Sequence, residues 1–146
     1  MANVSLWGAN YSNVPAITLP QTGGGTVTFY ENGGGGMNVQ GYHGMDYVKA
    51  SSYTATDVTL TVKTTGTYRI SWMGYRNTTS GTSGSQLYIN GSAYGSAHTS
   101  FTSNYGQSVV LTGVNLNAGD VLVVRARSRN TSYYMYVGNL IIEQTA

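Results

Sequence analysis

The sequence predicts an all-β protein built as an antiparallel β-sandwich or barrel. Short alternating segments recur at intervals of about ten residues, and Gly, Asn and Asp mark the turns between them. No apolar pattern with a period of 3.6 residues continues for three turns, so we predict no helix longer than one turn. The 146 residues fit a single domain of about eight to ten strands.

Composition narrows the classes of function. Charged residues make up 8% of the chain, against about 25% in an average soluble protein, which is typical of extracellular or virion β proteins. Cysteine is absent, which excludes disulfides, thiolate metal sites and a cysteine nucleophile. A formal charge of +2 is too small to predict nucleic acid as a partner. No apolar segment has the length of a membrane span or of a signal sequence, so we expect no membrane partner.

Residues 1–36 are predicted to be an extended arm with the first short strands. The two prolines of this segment lack a backbone N–H donor, which favours a sheet edge or a surface position. Thr26–Tyr30 alternates as a short strand between two glycine runs. Trp7 and Tyr11 are candidate anchors of the arm on a neighbouring surface. Residues 37–56 carry many aromatic side chains and read as a long connection or an irregular strand pair.

The main sandwich is predicted over residues 57–143. Asp57–Lys63 and Thr67–Met73 both alternate strictly. A three-residue loop that ends at Gly66 would pair them as a hairpin with Leu60 opposite Ile70, unless the loop crosses between the sheets of a sandwich.

A second hairpin has the strongest local signal in the chain. Asn90-Gly91 lies at the centre of the segment Gln86–Gly95, and this dipeptide favours a two-residue hairpin turn. Ser108–Thr112 follows as a strand, and a turn over 116–120 leads into the last third of the chain.

The last third, residues 120–143, reads as two strands joined by the turn Asn130-Thr131. Directly opposed residues share a sheet face, so this register predicts one purely apolar face and one face of arginine and tyrosine. On the second face Arg125 opposes Tyr136 and Arg127 opposes Tyr134.

The same register places Leu140 and Ile142 beside the arginines and tyrosines, which makes the last strand apolar on both sides. A strand with one buried face should alternate, so double-sided apolarity favours a subunit interface. A ligand-binding face with cation–π contacts and a plain solvated strand are the alternatives.

The sequence also suggests glycan platforms, because exposed aromatic rings can contact the apolar faces of sugars. The candidates in predicted loops are Tyr42, Tyr47, Tyr94 and Tyr105.

We predict no enzymatic activity, no cofactor and no metal site. The five carboxylates show no glycosidase spacing, and His43 and His98 are isolated from other ligands. No Gly-x-Ser-x-Gly motif surrounds a serine.

Five segments of the main sandwich occur in an order that resembles two groups of jelly-roll proteins, the globular heads of the complement and tumour-necrosis-factor type and the jelly-roll carbohydrate-binding modules. The segments are Gly66–Ser71, Leu87–Gly91, Val109–Leu111, Leu116–Val123 and Tyr136–Ile141. The resemblance implies a jelly roll, and for the heads it implies a homotrimer about a three-fold axis.

The opening of the chain, Leu6–Gly25, resembles that of small structural proteins from bacteriophage and prophage virions. This resemblance implies a non-enzymatic virion component, a fibre tip or decoration protein made in the host cytoplasm without a signal peptide. It would adhere to a host-surface glycan or to the capsid, with other virion proteins and further copies of itself as partners. A stand-alone carbohydrate-binding module and a purely structural capsid decoration protein are the alternatives.

Overall fold

The computed structural model describes residues 4–6, 9–11, 17–20, 26–31, 38–102 and 106–146, and before residue 38 it describes only the backbone. The regular elements in these ranges are β-strands. In chain order they are β1 (Val4–Leu6), β2 (Ala9–Tyr11), β3 (Ile17–Pro20), β4 (Thr26–Glu31), β5 (Asn38–Val48), β6 (Thr54–Thr61), β7 (Gly66–Arg76), β8 (Gly84–Ile89), β9 (Ser92–His98), β10 (Gln107–Leu116), β11 (Val121–Arg127) and β12 (Met135–Gln144).

The strands form two antiparallel sheets and one small pair. The six-stranded sheet has the order β10-β7-β12-β5-β4-β3, the four-stranded sheet has the order β6-β11-β8-β9, and β1 pairs with β2. From β5 to β12 the chain passes repeatedly from one sheet to the other, and only β8 and β9 are consecutive neighbours. This strand order is that of a jelly roll, so the predicted fold class is confirmed.

Alternation along the strands builds the core between the sheets. Buried side chains come from every second position, and the positions between them face outward. The six-stranded sheet contributes Tyr68, Ile70, Trp72, Met135 and Val137, and the four-stranded sheet contributes Val58, Leu60, Leu87, Leu122, Val124 and Ala126. Burial of each large apolar side chain is worth about 1.5–3 kcal/mol.

The Asn90-Gly91 hairpin prediction is confirmed. Ile89 pairs with Ser92 across the turn, and both turn residues have positive φ, 51° at Asn90 and 82° at Gly91. Two consecutive left-handed residues are the requirement of a type I′ turn, which matches the twist of the flanking strands.

The hairpin between residues 57–63 and 67–73 is wrong in its pairing, and the alternative of a crossing loop is correct. β6 belongs to the four-stranded sheet and β7 to the six-stranded sheet. Leu60 pairs with Leu122, while Ile70 pairs with Leu111 and Ile142. Both arrangements bury the same alternate residues, so alternation could not separate them.

The predicted hairpin at Asn130-Thr131 is also wrong, because its two strands belong to different sheets. β11 lies between β6 and β8, whereas β12 lies between β5 and β7 in the other sheet. The connection between β11 and β12 therefore crosses the end of the sandwich, where the Ser128 hydroxyl contacts the carbonyl oxygens of Asn130 and Tyr133.

A β-bulge in β12 corrects the predicted positions of Leu140 and Ile142. The pairing of β12 shifts between Gly138 and Leu140, and Asn139 has a φ of +50°. One extra residue exchanges the two faces of a strand. Leu140 and Ile142 are consequently fully buried in the core, and Ile141 is half-buried on the outer face, opposite to the prediction.

Residues 37–56 are more regular than the sequence suggested, because 38–48 form the long central strand β5. β12 pairs with one edge of β5, and β4 followed by β3 extends the sheet from its other edge. β3 is the edge strand and ends at Pro20, as the missing N–H donor of proline favours.

Buried hydrogen bonds connect the two sheets at two places. The Trp72 indole Nε1–H donates to Ser85 Oγ at 2.8 Å, which joins β7 to β8. The Gln40 side chain of β5 donates to the Thr61 carbonyl and accepts from the Lys63 N–H at 2.6 Å. Gln40 thus satisfies backbone groups where the chain leaves β6, and its own amide is satisfied in return.

We expect Ser85→Ala to destabilise the fold by about 1–3 kcal/mol, because the buried Trp72 N–H loses its acceptor. Urea unfolding followed by circular dichroism measures this. Ser108→Ala, at an exposed position of β10, is the control and should change the free energy of unfolding by less than about 0.5 kcal/mol. Equal effects of the two substitutions would contradict the assigned role.

Candidate functional site

Four tyrosines form a continuous aromatic surface on the outer face of the six-stranded sheet. Tyr136 of β12 pairs with Tyr47 of β5 on one side and with Tyr75 of β7 on the other, so the three form a row across adjacent strands. Tyr134 precedes β12 and contacts this row. We call Tyr47, Tyr75, Tyr134 and Tyr136 the tyrosine cluster.

The rings of the cluster support one another. Tyr75 and Tyr136 stack with centroids 4.4 Å apart and an interplanar angle of 7°, and Tyr134 stacks on Tyr136 at 5.7 Å. Tyr47 meets Tyr134 edge-on at 5.0 Å and is 53% exposed. The Lys49 ammonium lies 4.7 Å from the centre of the Tyr134 ring. Such contacts add about 0.5–1.5 kcal/mol per pair beyond area burial, and they hold the rings in fixed orientations.

The hydroxyl groups of the cluster add hydrogen-bonding capacity. The pKa of Tyr136 is raised, first by burial and then by the neighbouring phenols of Tyr75, Tyr134 and Tyr47. Tyr136 is therefore a neutral phenol at physiological pH, and a neutral phenol both donates and accepts. The surface combines apolar ring area, most exposed at Tyr47, with polar groups.

Methionine side chains continue this outer face beyond the tyrosines. Met45 of β5 and Met73 of β7 both lie opposite Gly138 of β12, and Met45 is 54% exposed. A Cβ atom at Gly138 would lie 2.5 Å from Met45 Cγ, so the glycine leaves the space that the Met45 side chain fills. Asn139 Nδ2 contacts Met73 Sδ at 3.7 Å.

Arg125 and Arg127 lie on the opposite surface of the molecule, which corrects the predicted arginine–tyrosine pairing. They point outward from the four-stranded sheet, whereas Tyr134 and Tyr136 lie on the outer face of the six-stranded one. Arg125 Cζ is 4.2 Å from the centre of the Tyr88 ring, and Arg127 Cζ is 5.4 Å from that of Tyr53.

The sequence interpretation missed Tyr53 and Tyr88 as partners of the arginines. Tyr88 alternates with the core residue Leu87 in the strand before the Asn90-Gly91 turn, a signal that already indicated an outward side chain. Tyr53 lies in the connection before β6, where no periodic pattern could place it.

The other predicted site residues are dispersed. Tyr42 is 1% exposed and packs in the core, so the prediction of a glycan platform there is wrong. Tyr94 is 37% exposed on β9, in the sheet away from the tyrosine cluster. Trp7 and Tyr105 lie outside the described residues, and for Tyr11 only the backbone pairing with Val4 is described.

Asp46 and Glu143 have structural partners. Asp46 accepts the backbone N–H groups of Tyr47 and Asp57 at 2.7 and 2.8 Å. Glu143 pairs with Arg69 at 2.9 Å. Within the described ranges, no group of three or more His, Cys, Asp or Glu is arranged to hold a metal ion. The same ranges contain no helix of the length and apolarity that crossing a membrane requires.

Asp120 connects two turns at one end of the four-stranded sheet. It accepts the Asn117 backbone N–H at 2.8 Å and the Asn90 side-chain amide at 2.9 Å, and Asn90 Oδ1 accepts the Val121 N–H at 2.9 Å. The hydrogen bond from Asn117, followed by that from Asn90, lowers the pKa of Asp120. Asp120 is therefore a turn residue with a structural role.

Comparison with known proteins finds similarity in fold only. No protein-family model matches the chain, and no curated protein matches it. Among solved structures it is similar to the CBM36-1 domain of a multidomain xylanase from the hindgut metagenome of Trinervitermes trinervoides. The identity is 12%, the match covers 100% of this chain and 92% of that one, and the TM-score is 0.48.

Two further solved structures are similar to the chain over different shares of its length. A family 35 carbohydrate-binding module from Clostridium thermocellum is 15% identical over 89% of this chain and 87% of its own, with a TM-score of 0.42. Rabbit GITRL is 21% identical over 61% of this chain and 77% of its own, with a TM-score of 0.41. The strand order described above establishes the jelly roll independently of them.

We expect Asp120→Ala to lower the free energy of unfolding by about 1 kcal/mol at pH 7, through loss of its hydrogen bonds. The pKa of Asp120 in the folded protein lies below its ordinary value of 3.8. The stabilisation that its carboxylate contributes is therefore fully present above pH 3.8, and it is lost as the pH falls through the folded pKa. Urea unfolding at pH 7 and at about pH 2 should show the difference from wild type disappearing in acid. Asp57→Ala, on an exposed position, is the control, and a difference independent of pH would contradict the assignment.

Proposed function

We propose that this chain is a non-catalytic module that binds a glycan through the tyrosine cluster. The observation that carries the proposal is the row of Tyr47, Tyr136 and Tyr75 across three adjacent strands, with Tyr134 stacked beside it. Sugars present apolar C–H faces together with hydroxyl groups. Tyrosine matches both, because its ring is apolar and its hydroxyl donates and accepts hydrogen bonds.

The geometry of the row favours an extended ligand. Neighbouring strands are about 4.8 Å apart, so the row from Tyr47 to Tyr75 is about 10 Å wide. That width exceeds a single pyranose ring and suits a chain of sugars. The rings are already packed against one another, which reduces the loss of side-chain entropy on binding.

The tyrosine cluster serves equally in a fibre tip or in a stand-alone carbohydrate-binding module. A virion location, the capsid and other virion proteins as partners, and a bacterial surface glycan as ligand stay predictions from the sequence. Each of these settings needs a rigid surface that contacts an external polymer, and the sheet-borne tyrosines supply one.

Self-association is the second candidate for this face, and the exposed thioether of Met45 favours it. Methionine has no strong hydrogen-bonding group to offer a sugar, but it is enriched in protein interfaces and adapts its shape to a partner. The patch formed by Met45, Met73 and the tyrosine cluster is the kind of exposed apolar surface that marks a contact site. The homotrimer stays a prediction; of the residues that the sequence assigned to its interface, only Tyr134 and Tyr136 lie on this outer face.

Glycan binding is tested with an array of uncharged bacterial-surface and plant cell-wall polysaccharides, followed by calorimetric titration of the best ligand. We expect the double variant Tyr47→Ala/Tyr75→Ala to weaken binding at least tenfold, about 1.4 kcal/mol. Tyr94→Ala removes an exposed tyrosine from the other sheet and should leave affinity unchanged. Absence of any ligand on the array, or equal loss in the Tyr94 variant, would refute the proposal.

Self-association is tested by light scattering over a range of protein concentrations. A homotrimer has three times the 15.5 kDa mass of the chain. If this face forms the interface, Met45→Lys should return the protein to one chain per particle, since it buries an unpaired charge. Val121→Lys, at an exposed position of the four-stranded sheet, should not. A single-chain mass for the wild type would refute the trimer and leave the face free for a ligand.

A further inference from the structure

Two arginines on the outer face of the four-stranded sheet have no part in the glycan proposal. Arg125 and Arg127 alternate with the buried residues Val124 and Ala126 of β11, so both point outward. Residues two apart on a strand are separated by about 6.7 Å. β11 lies between β6 and β8; Arg125 is paired with both neighbouring strands, and Arg127 is paired with β8.

Each guanidinium group is held against an aromatic ring. Arg125 lies over Tyr88 at 4.2 Å and Arg127 over Tyr53 at 5.4 Å, both within the range of a cation–π contact. Burial raises the pKa of Tyr53. The positive charge of Arg127 lowers this pKa in part, and the Tyr88 phenol raises it further. Because the two arginines lie two residues apart on one strand and each contacts one of the tyrosines, the four side chains form one group, which we call the arginine surface.

The residues opposite the arginines are uncharged, and most are small. Ala55 and Gln86 oppose Arg125, and Gly84 opposes Arg127. A Cβ atom at Gly84 would lie 2.6 Å from the Tyr53 hydroxyl oxygen. Glycine therefore lets the Tyr53 ring lie across β8 beside Arg127, where a larger residue would displace it.

The two guanidinium groups have no carboxylate partner among the described residues. Their Nε atoms are buried without a hydrogen-bond partner, and neither group takes part in an ion pair of the described part. Asp57 lies on the adjacent strand β6 and contributes its backbone N–H to Asp46, without pairing with Arg125. Ring contacts thus orient these guanidinium groups, and both arginine side chains are half-buried.

We propose that the arginine surface binds the anionic substituents of an acidic polysaccharide. The planar guanidinium presents forked N–H donors that match the oxygens of a carboxylate or a sulfate, and Arg is preferred to Lys for such recognition. Tyr53 and Tyr88 place aromatic area beside each charge, where a sugar ring lies next to its substituent. The formal charge of +2 for the whole chain disfavours nucleic acid, which needs a longer basic stripe.

The test is calorimetric titration with three polymers: dextran sulfate, alginate as a carboxylate polymer, and uncharged dextran. We expect binding of dextran sulfate, alginate or both, and no binding of dextran, which has the same backbone as the sulfate. Which polyanion binds identifies the substituent as sulfate or carboxylate. No binding of either polyanion would overturn the proposal.

Variants separate this site from general charge attraction. Arg125→Gln/Arg127→Gln should weaken binding at least tenfold, while Arg69→Gln, which removes the same type of charge from the other sheet, should change it less than twofold. Arg125→Lys/Arg127→Lys keeps the charge but loses the fork and should still weaken binding severalfold. Wild-type affinity in the lysine variant would overturn the proposed geometry. Thermal unfolding of each variant checks that it folds.

Two further arms complete the experiment. A single-stranded DNA oligonucleotide that binds as tightly as the best polysaccharide, and loses affinity in the same arginine variants, would show a general polyanion site and overturn the assignment. Tyr47→Ala/Tyr75→Ala should bind the acidic polysaccharide as the wild type does, because its substitutions lie on the opposite surface. Loss in that variant would show one shared site and overturn the separate arginine surface.

Discussion

Burial of one face of each strand between the two sheets is the constraint on which the rest of the structure depends. β11 and β12 both alternate, and both place their apolar side chains in the same core from opposite sheets. Their outward residues therefore point in opposite directions. The arginines of β11 and the tyrosines of β12, neighbours in a simple hairpin, become two surfaces separated by the thickness of the sandwich, about 10 Å between sheets.

The β-bulge at Asn139 decides the composition of the outer face around the tyrosines. Before it, Tyr136 points outward while Met135 and Val137 are buried; after it, Leu140 and Ile142 are buried. Without the extra residue, these two large aliphatic side chains would leave the core for the surface. Asparagine tolerates the left-handed backbone there better than most residues. The bulge exchanges the two faces of β12 part-way along the strand, which is why its sequence reads as apolar on both sides.

The two surfaces differ in the chemistry they offer to a ligand. The tyrosine cluster is held by ring stacking and offers apolar ring area with phenol hydroxyls. The arginine surface is held by cation–π contacts and offers positive charge without a carboxylate partner in the described residues. The carboxylates Asp46, Asp120 and Glu143 are instead engaged in turns, strand connections and an ion pair. Most residues of both surfaces lie on strands, whose positions a sheet fixes more firmly than loops fix theirs. Tyr134 and Tyr53 each lie directly before a strand.

The sequence by itself determined the all-β class, the alternating positions of the core strands and the Asn90-Gly91 hairpin, because periodicity and turn chemistry are local properties. The jelly roll was implied by a resemblance. Only the tertiary structure decided which strands pair. In the folded chain Tyr42 is buried and Tyr47, on the same strand, is exposed. Leu140 and Ile142 lie in the core. Arg125 contacts Tyr88, and Arg127 contacts Tyr53. Alternation defines the two faces of a strand but neither its neighbours nor a bulge, since these depend on contacts between residues distant in the chain.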